Sequence, residues 1–115
     1  MKIKVNSNIT EFERDQPRHS NLTPNKTYSV IGIEFECYRI VNDDFEPILY
    51  PKELFEIIDP SYPNSWVRTE LDDGEYYIEP LEFSEIGFFE DYFEGSAEAI
   101  GIYKSYLENS ELKDK

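Results

Sequence analysis

Through most of the first 80 residues apolar positions alternate with polar ones, and beyond that point they recur at helical spacing. Ile3, Val5 and Ile9 alternate with polar neighbours across Lys2–Thr10, which predicts a half-buried strand. Glu13 to Asn21 is polar, carries Pro17 and reads as a loop. Leu22-Thr23-Pro24-Asn25-Lys26 predicts a turn, because Pro24 presets its φ and Asn25 tolerates the positive φ that can follow. Thr27–Glu34 and Phe35–Asn42 are rich in β-branched and aromatic residues and predict two strands, with a bend or tight turn near Gly32–Glu36. Asn42-Asp43-Asp44-Phe45 predicts a hairpin loop. In the strand that follows, Glu46–Tyr50, Pro47 lacks a ladder donor and favours an edge or the start of a strand.

Pro51-Lys52-Glu53-Leu54-Phe55 suits one turn of 3₁₀ helix, and Phe55–Ile58 a short strand that Asp59-Pro60 stops. Residues 60–65 read as a linker. Trp66–Leu71 and Glu75–Ile78 flank Asp72-Asp73-Gly74, and an Asp-Gly pair between two such runs is a strong hairpin signal. From Ser84 to Glu94 the period changes: Phe88 falls over Tyr92 and Phe89 over Phe93, and Gly95 suits the end of a helix. Ser96 suits the cap of a second helix with the stripe Ala99, Ile100, Tyr103, Tyr106 and Leu107. Strands first and helices last define an α+β order, expected as one domain over residues 1–115.

Three stretches carry a resemblance. Leu-Thr-Pro-Asn-Lys-Thr-Tyr-Ser-Val-Ile-Gly-Ile from Leu22, Tyr-Arg-Ile-Val-Asn-Asp-Asp from Tyr38 and Ile-Leu-Tyr-Pro-Lys-Glu-Leu-Phe-Glu-Ile-Ile-Asp from Ile48 together resemble the small SH3-like barrels of short bacterial proteins. The resemblance implies a turn that opens the barrel at 22–26 and a one-turn helix before its final strand. Asn25 and Phe45 depart from it, since a Gly is usual at both. The later Gly-Phe-Phe-Glu-Asp-Tyr-Phe-Glu-Gly, with the amphipathic helix after it, is similar to the tail of short proteins encoded beside bacterial toxins. These include immunity proteins of contact-dependent inhibition and other polymorphic toxin systems. The expected fold is thus a small SH3-like antiparallel barrel over 22–59, a hairpin over 66–79 and a helical tail over 84–110. The implied function is neutralisation of one cognate toxin by tight binding in the cytoplasm, and no binding residue is carried over.

Charge sharpens this picture. A net charge of −14 is unevenly spread: residues 1–26 sum to +2, whereas eleven acids and no base fall between Arg68 and Lys104. An extended field of one sign repels nucleic acid and anionic membranes and attracts cationic proteins. Nucleic-acid and membrane partners are therefore not expected, and a basic toxin is. The first ten residues lack the apolar core of a signal peptide, and no run approaches the ~20 apolar residues of a membrane span, so a cytoplasmic location is expected.

Catalytic readings find no constellation. His19 and Cys37 are the only histidine and cysteine, and Cys37 sits among Glu34, Glu36, Phe35 and Tyr38, where carboxylates oppose a thiolate. One cysteine allows no internal disulfide and no cysteine-based zinc site. Asp72-Asp73-Gly74-Glu75 lacks the alternating ligands and distal Glu of a calcium loop, because Leu71 and Pro80 break the register. No phosphate-binding loop occurs. No enzyme activity, metal or cofactor is expected. What remains is a docking face of Glu70, Asp72, Asp73, Glu75, Tyr76, Tyr77, Glu79, Glu90, Asp91 and Glu94. Its carboxylates would speed encounter, and one of the adjacent tyrosines, which point to opposite sides of a strand, would anchor the partner. Two other readings stay open: an SH3-like interaction adaptor, phage-encoded in one version, and a DNA mimic that inhibits a DNA-binding enzyme.

Overall fold

The structure, a computed structural model, describes residues 1–6 and 21–109. His19, most of the 13–21 loop, the continuation of the first strand towards Thr10 and residue 110 of the tail lie outside the described residues. The chain divides into two compact units, Met1–Glu79 and Pro80–Lys115.

The described residues of the first unit form an antiparallel sheet of seven strands: β1 (Lys2–Val5), β2 (Thr27–Glu34), β3 (Cys37–Val41), β4 (Pro47–Pro51), β5 (Phe55–Asp59), β6 (Val67–Glu70) and β7 (Tyr76–Glu79). β2 organises it. Along one edge β2 pairs with β3. Its other edge is shared, by β1 at Thr27–Ser29 and by β7 at Ile33 and Glu34. A bulge between Val30 and Gly32 makes the sharing possible, since an extra residue bends a strand and raises its twist. It also shifts the alternation, so that Tyr28 and Val30 before it and Ile33 after it all join one core. That core adds Ile3 and Val5, Tyr38 and Ile40, Tyr50, Leu54, Phe55 and Ile78. The period-2 pattern of the sequence coincides with the buried face in β1 and β3, and the bulge interrupts it in β2.

The path of the sheet runs β4-β3-β2-β1-β5, with the β6–β7 hairpin joined to the end of β2. It is not a closed barrel, which corrects the expectation over 22–59: β4 and β5 are consecutive strands but are not paired among the described residues. The edge chemistry of β4 gives a reason. Asn42 N–H donates to Glu46 O and Lys52 N–H to Glu36 O, so the bonded pairs of the β3–β4 ladder fall on the even residues of β4. Pro47 and Pro51 then occupy positions whose N–H would point away from β3, and that edge lacks two of its donors. One turn of 3₁₀ helix, Lys52–Leu54, carries the chain on into β5.

Two turns that are distant in sequence meet at Asp43. Its Oδ1 accepts from Lys26 Nζ (2.7 Å) and Tyr28 Oη (2.8 Å), and its Oδ2 from Thr23 Oγ1 (2.7 Å). Tyr28 Oη accepts in turn from Thr23 N–H at 2.6 Å. Burial pushes the Tyr28 phenol up to about 12, the Thr23 backbone bond opposing and Asp43 assisting. Burial also works to raise Asp43, but the three donors outweigh it and hold the carboxyl below its ordinary value. Beside it, buried Asn42 closes the β3–β4 hairpin: its Oδ1 accepts from Asp44 N–H (2.9 Å) and Glu46 N–H (3.0 Å), and its Nδ2 donates to the Tyr50 phenol.

In the second unit a 3₁₀ turn, Leu81–Phe83, precedes α1 (Phe88–Phe93) and α2 (Ala97–Asn109). Helix formation from Ser84 is not observed. Gly87 has φ +80°, outside helical space, so α1 begins at Phe88 and is six residues long. Its end follows the expectation. Gly95 has φ +92°, Ser96 N–H donates to Asp91 O and Gly95 N–H to Tyr92 O, the paired bonds of a glycine C-cap. Ser96 Oγ then accepts from Ala99 N–H at 3.3 Å and opens α2. Phe83 centres this unit, with the rings of Phe88, Phe89, Tyr103 and Tyr106 at centroid distances of 4.8–6.2 Å.

Candidate functional site

The β6–β7 hairpin carries most of the residues expected to dock a partner. The Asp72-Asp73-Gly74 turn forms as its dipeptide predicts: Gly74 has φ +81°, and Leu71 N–H donates to Glu75 O at 2.8 Å. Glu70, Asp72, Asp73 and Glu75 are exposed. Glu70 lies 3.0 Å from Arg68 Nε, an exposed pair worth little energetically but one that tempers the charge at that end.

The adjacent tyrosines separate as the pleat demands. Tyr76 turns to the core side, where its ring meets the edge of Phe35 (6.0 Å) and lies under the Arg68 guanidinium (4.3 Å) and the Lys52 ammonium (5.6 Å). It is committed to packing. Tyr77 turns to the opposite face and lines a cleft of about 270 Å³ with Glu34, Phe35, Glu36, Cys37 and Glu75. Burial, then the charges of Glu34, Glu75 and Glu79, push its phenol up, with Arg39 opposing. Three carboxylates and two aromatic rings thus surround a space just under the ≈ 300–1,000 Å³ of small-molecule sites, a size suited to one long side chain.

Behind Tyr77 lies a charge cluster of which the sequence reading named only Glu79, as a docking residue, and missed Glu34 and Arg39. Arg39 on β3 reaches Glu34 on β2 at 3.3 Å and donates to Pro47 O at 2.8 Å. Burial pulls its guanidinium below its ordinary value, while Glu34 and Glu79 act the other way. Glu79 on β7 is pushed up to about 7, chiefly by burial, then by Glu34, against the pull of Arg39. The signal for these residues was available as alternation: Glu34, Cys37, Arg39, Tyr77 and Glu79 are the outward positions of three strands. Only the β2–β7 pairing, Glu34 opposite Tyr77 and Ile33 opposite Ile78, brings them together.

Glu90 and Asp91 on α1, and Glu94 at its C-cap, belong to the second unit, where all three are exposed. That unit has a larger, open groove of about 600 Å³ along the small residues Ala97, Gly101 and Ser105 of α2. Its lining holds two carboxylates, Glu82 and Glu98, against three beside two rings in the smaller cleft, which is the stronger candidate despite its size. Among the described residues no set of three or more His, Cys, Asp or Glu side chains could hold a metal ion, and no helix is long and apolar enough to cross a membrane. No protein-family model matches the chain, and no curated protein or solved structure matches it. Fold and cleft together describe an α+β protein with an acidic, aromatic-walled recess at one hairpin.

Proposed function

We propose that the chain acts by binding, as an immunity-type protein that neutralises a cationic bacterial toxin, and that the β6–β7 hairpin with the adjoining cleft is its docking face. The observation that carries this reading is the cleft itself, where Glu34, Glu36 and Glu75 surround Phe35 and Tyr77. A lysine or arginine of the partner finds there both charge and ring faces, which add cation–π attraction to ion pairing. Asp72 and Asp73 at the rim extend the field outwards and raise the rate of encounter. A nuclease toxin has a basic surface for phosphates, and a row of carboxylates replaces them in kind. No catalytic step is assigned to the chain.

An SH3-like ancestry of the first unit belongs to the same proposal. Its support is the path β4-β3-β2-β1-β5, the bulged strand shared between two halves, and the 3₁₀ turn before the fifth strand. The sheet would be such a barrel left open between β4 and β5.

The test is kinetic. On this reading the neighbouring gene encodes a secreted protein with a basic C-terminal domain, and that purified domain is the probe. Its association rate should fall about tenfold or more between ~10 mM and ~150 mM salt. Joint reversal of Glu70, Asp72, Asp73 and Glu75 to lysine should abolish protection of cells against the toxin. Salt-independent association, or full protection by the reversed variant, overturns the proposal and favours an adaptor that uses another surface.

A further inference from the structure

Gly32 lies on the outer face of the sheet with Arg39 of β3 on one side and Glu79 of β7 on the other. A Cβ at Gly32 would stand 3.5 Å from Arg39 Cβ and 3.8 Å from Glu79 Cβ. The bare backbone leaves the guanidinium room above β2, where Glu34 contacts it at 3.3 Å and Glu79 attracts it as a second carboxylate. Glu34 and Glu79 are diagonal neighbours across the β2–β7 ladder, because Glu34 pairs with Tyr77 and Ile33 with Ile78. That ladder is the whole strand junction between the hairpin and β2, and it is two residue pairs long.

We propose that Glu34, Arg39 and Glu79 form a proton-controlled joint: with a proton on the Glu79 carboxyl the β6–β7 hairpin is held firmly to β2, and loss of that proton to solvent loosens it. With both carboxylates ionised, two like charges face one guanidinium across a short ladder. With Glu79 neutral, the Glu34–Arg39 pair is kept and the repulsion between the two carboxylates is gone. Burial brings the change into the neutral range, since Glu79 is pushed up to about 7. Among the described residues the other groups on this face are Cys37 of β3, Tyr77 of β7, Glu75 in the turn before it and Glu36 in the turn after β2. β6 brings only Val67 and Thr69, opposite Glu79 and Tyr77. Arg68, Glu70 and Lys52 lie with Tyr76 on the other face. None of these adds a second cation to the pair of carboxylates, and Glu75 adds a further negative charge. The joint is a property of the fold and holds whatever the hairpin binds.

Amide hydrogen exchange on the intact chain, corrected for the intrinsic rates at about pH 5.5 and about pH 8, separates local from global opening. Ile33 and Ile78 report on the junction, and Tyr38 and Tyr50 on the β3–β4 ladder as an internal control. Protection at Ile33 and Ile78 should fall about tenfold relative to the control on going to the higher pH. In Glu79→Gln, which keeps the shape of the protonated carboxyl, the ratio should be level. A level ratio in the wild type, an equal fall in Glu79→Gln, or a fall shared by the control pair overturns the proposal.

Discussion

Asn25 and Phe45, the two positions where the resemblance expects glycine, have φ of +66° and +61°. An amide side chain tolerates that region, whereas a bulky aromatic there is strained by roughly 1–2 kcal/mol. Phe45 is also 73% exposed. Phe45→Gly should therefore raise unfolding free energy by about 0.5–1 kcal/mol once glycine's greater unfolded-state entropy is deducted, measured by urea denaturation. Asn42 behaves in the opposite sense. Its amide satisfies two backbone donors and the Tyr50 phenol in a buried site, so Asn42→Ala should cost about 2–3 kcal/mol in the same assay. Asn42 was legible as a turn former from its type, and Phe45 only from its place in the 42–45 loop. That Asp43 binds Thr23, Lys26 and Tyr28 depends on segments 15 to 20 residues apart meeting in space, and that Asn42 anchors a fully buried tyrosine depends on the β3–β4 pairing within its own hairpin.

At the scale of elements, local signals predicted strands and caps with good register and the helix start poorly. Thr27–Glu34 coincides with β2, the 3₁₀ turn falls within 51–55, and the Gly95–Ser96 junction has the expected bonds. α1 starts four residues later than the aromatic spacing suggested, because periodicity cannot see that Gly87 occupies left-handed space. Ser96→Ala removes the hydroxyl acceptor of α2 and should lower unfolding free energy by about 1 kcal/mol, checked by thermal denaturation followed through helical circular dichroism. The hairpin makes the functional point at this scale. Adjacent tyrosines take opposite roles because a strand alternates, so Tyr77→Ala should weaken partner binding with little loss of stability. Tyr76→Ala should destabilise the sheet, since its ring packs with Phe35 and the core.

For the whole molecule, pH acts through groups of opposite sign, of which Glu79 and Asp43 are described residues on the sheet and its turns. Glu79 has its folded value raised from 4.5 to about 7, so the folded state binds more protons than the unfolded one between those limits. Its stabilisation is complete below about pH 4.5 and is lost as pH rises through about 7. Because the group is only half buried, solvent screening reduces the effect to on the order of 1–2 kcal/mol. Asp43, held below its unfolded value by its donors after burial is overcome, contributes above that value and is lost as pH falls through the folded one. Stability should therefore be greatest on the acidic side of neutrality. Urea midpoints across pH 4–8, bounded by these two groups, should decline towards the upper end in the wild type and much less in Glu79→Gln.

The sequence alone determined the alternation that makes strands of the first unit, the turns at 22–26, 42–45 and 72–74, the glycine and serine that join two helices, and an acidity polarised away from the N-terminus. Each of these is a property of one residue or of near neighbours: a φ preference, a side-chain cap, a period of two, a formal charge. Tertiary structure alone decided that β2 would share its edge between β1 and β7, that the sheet would stay open between β4 and β5, and that Glu34, Arg39 and Glu79 would meet. Those outcomes depend on which ladder donors remain free and on where one bulged residue reverses the alternation. The acidic face was visible as a run of charge. Its conversion into a cleft with Tyr77 and Phe35 as walls needed the pairing of residues more than forty positions apart.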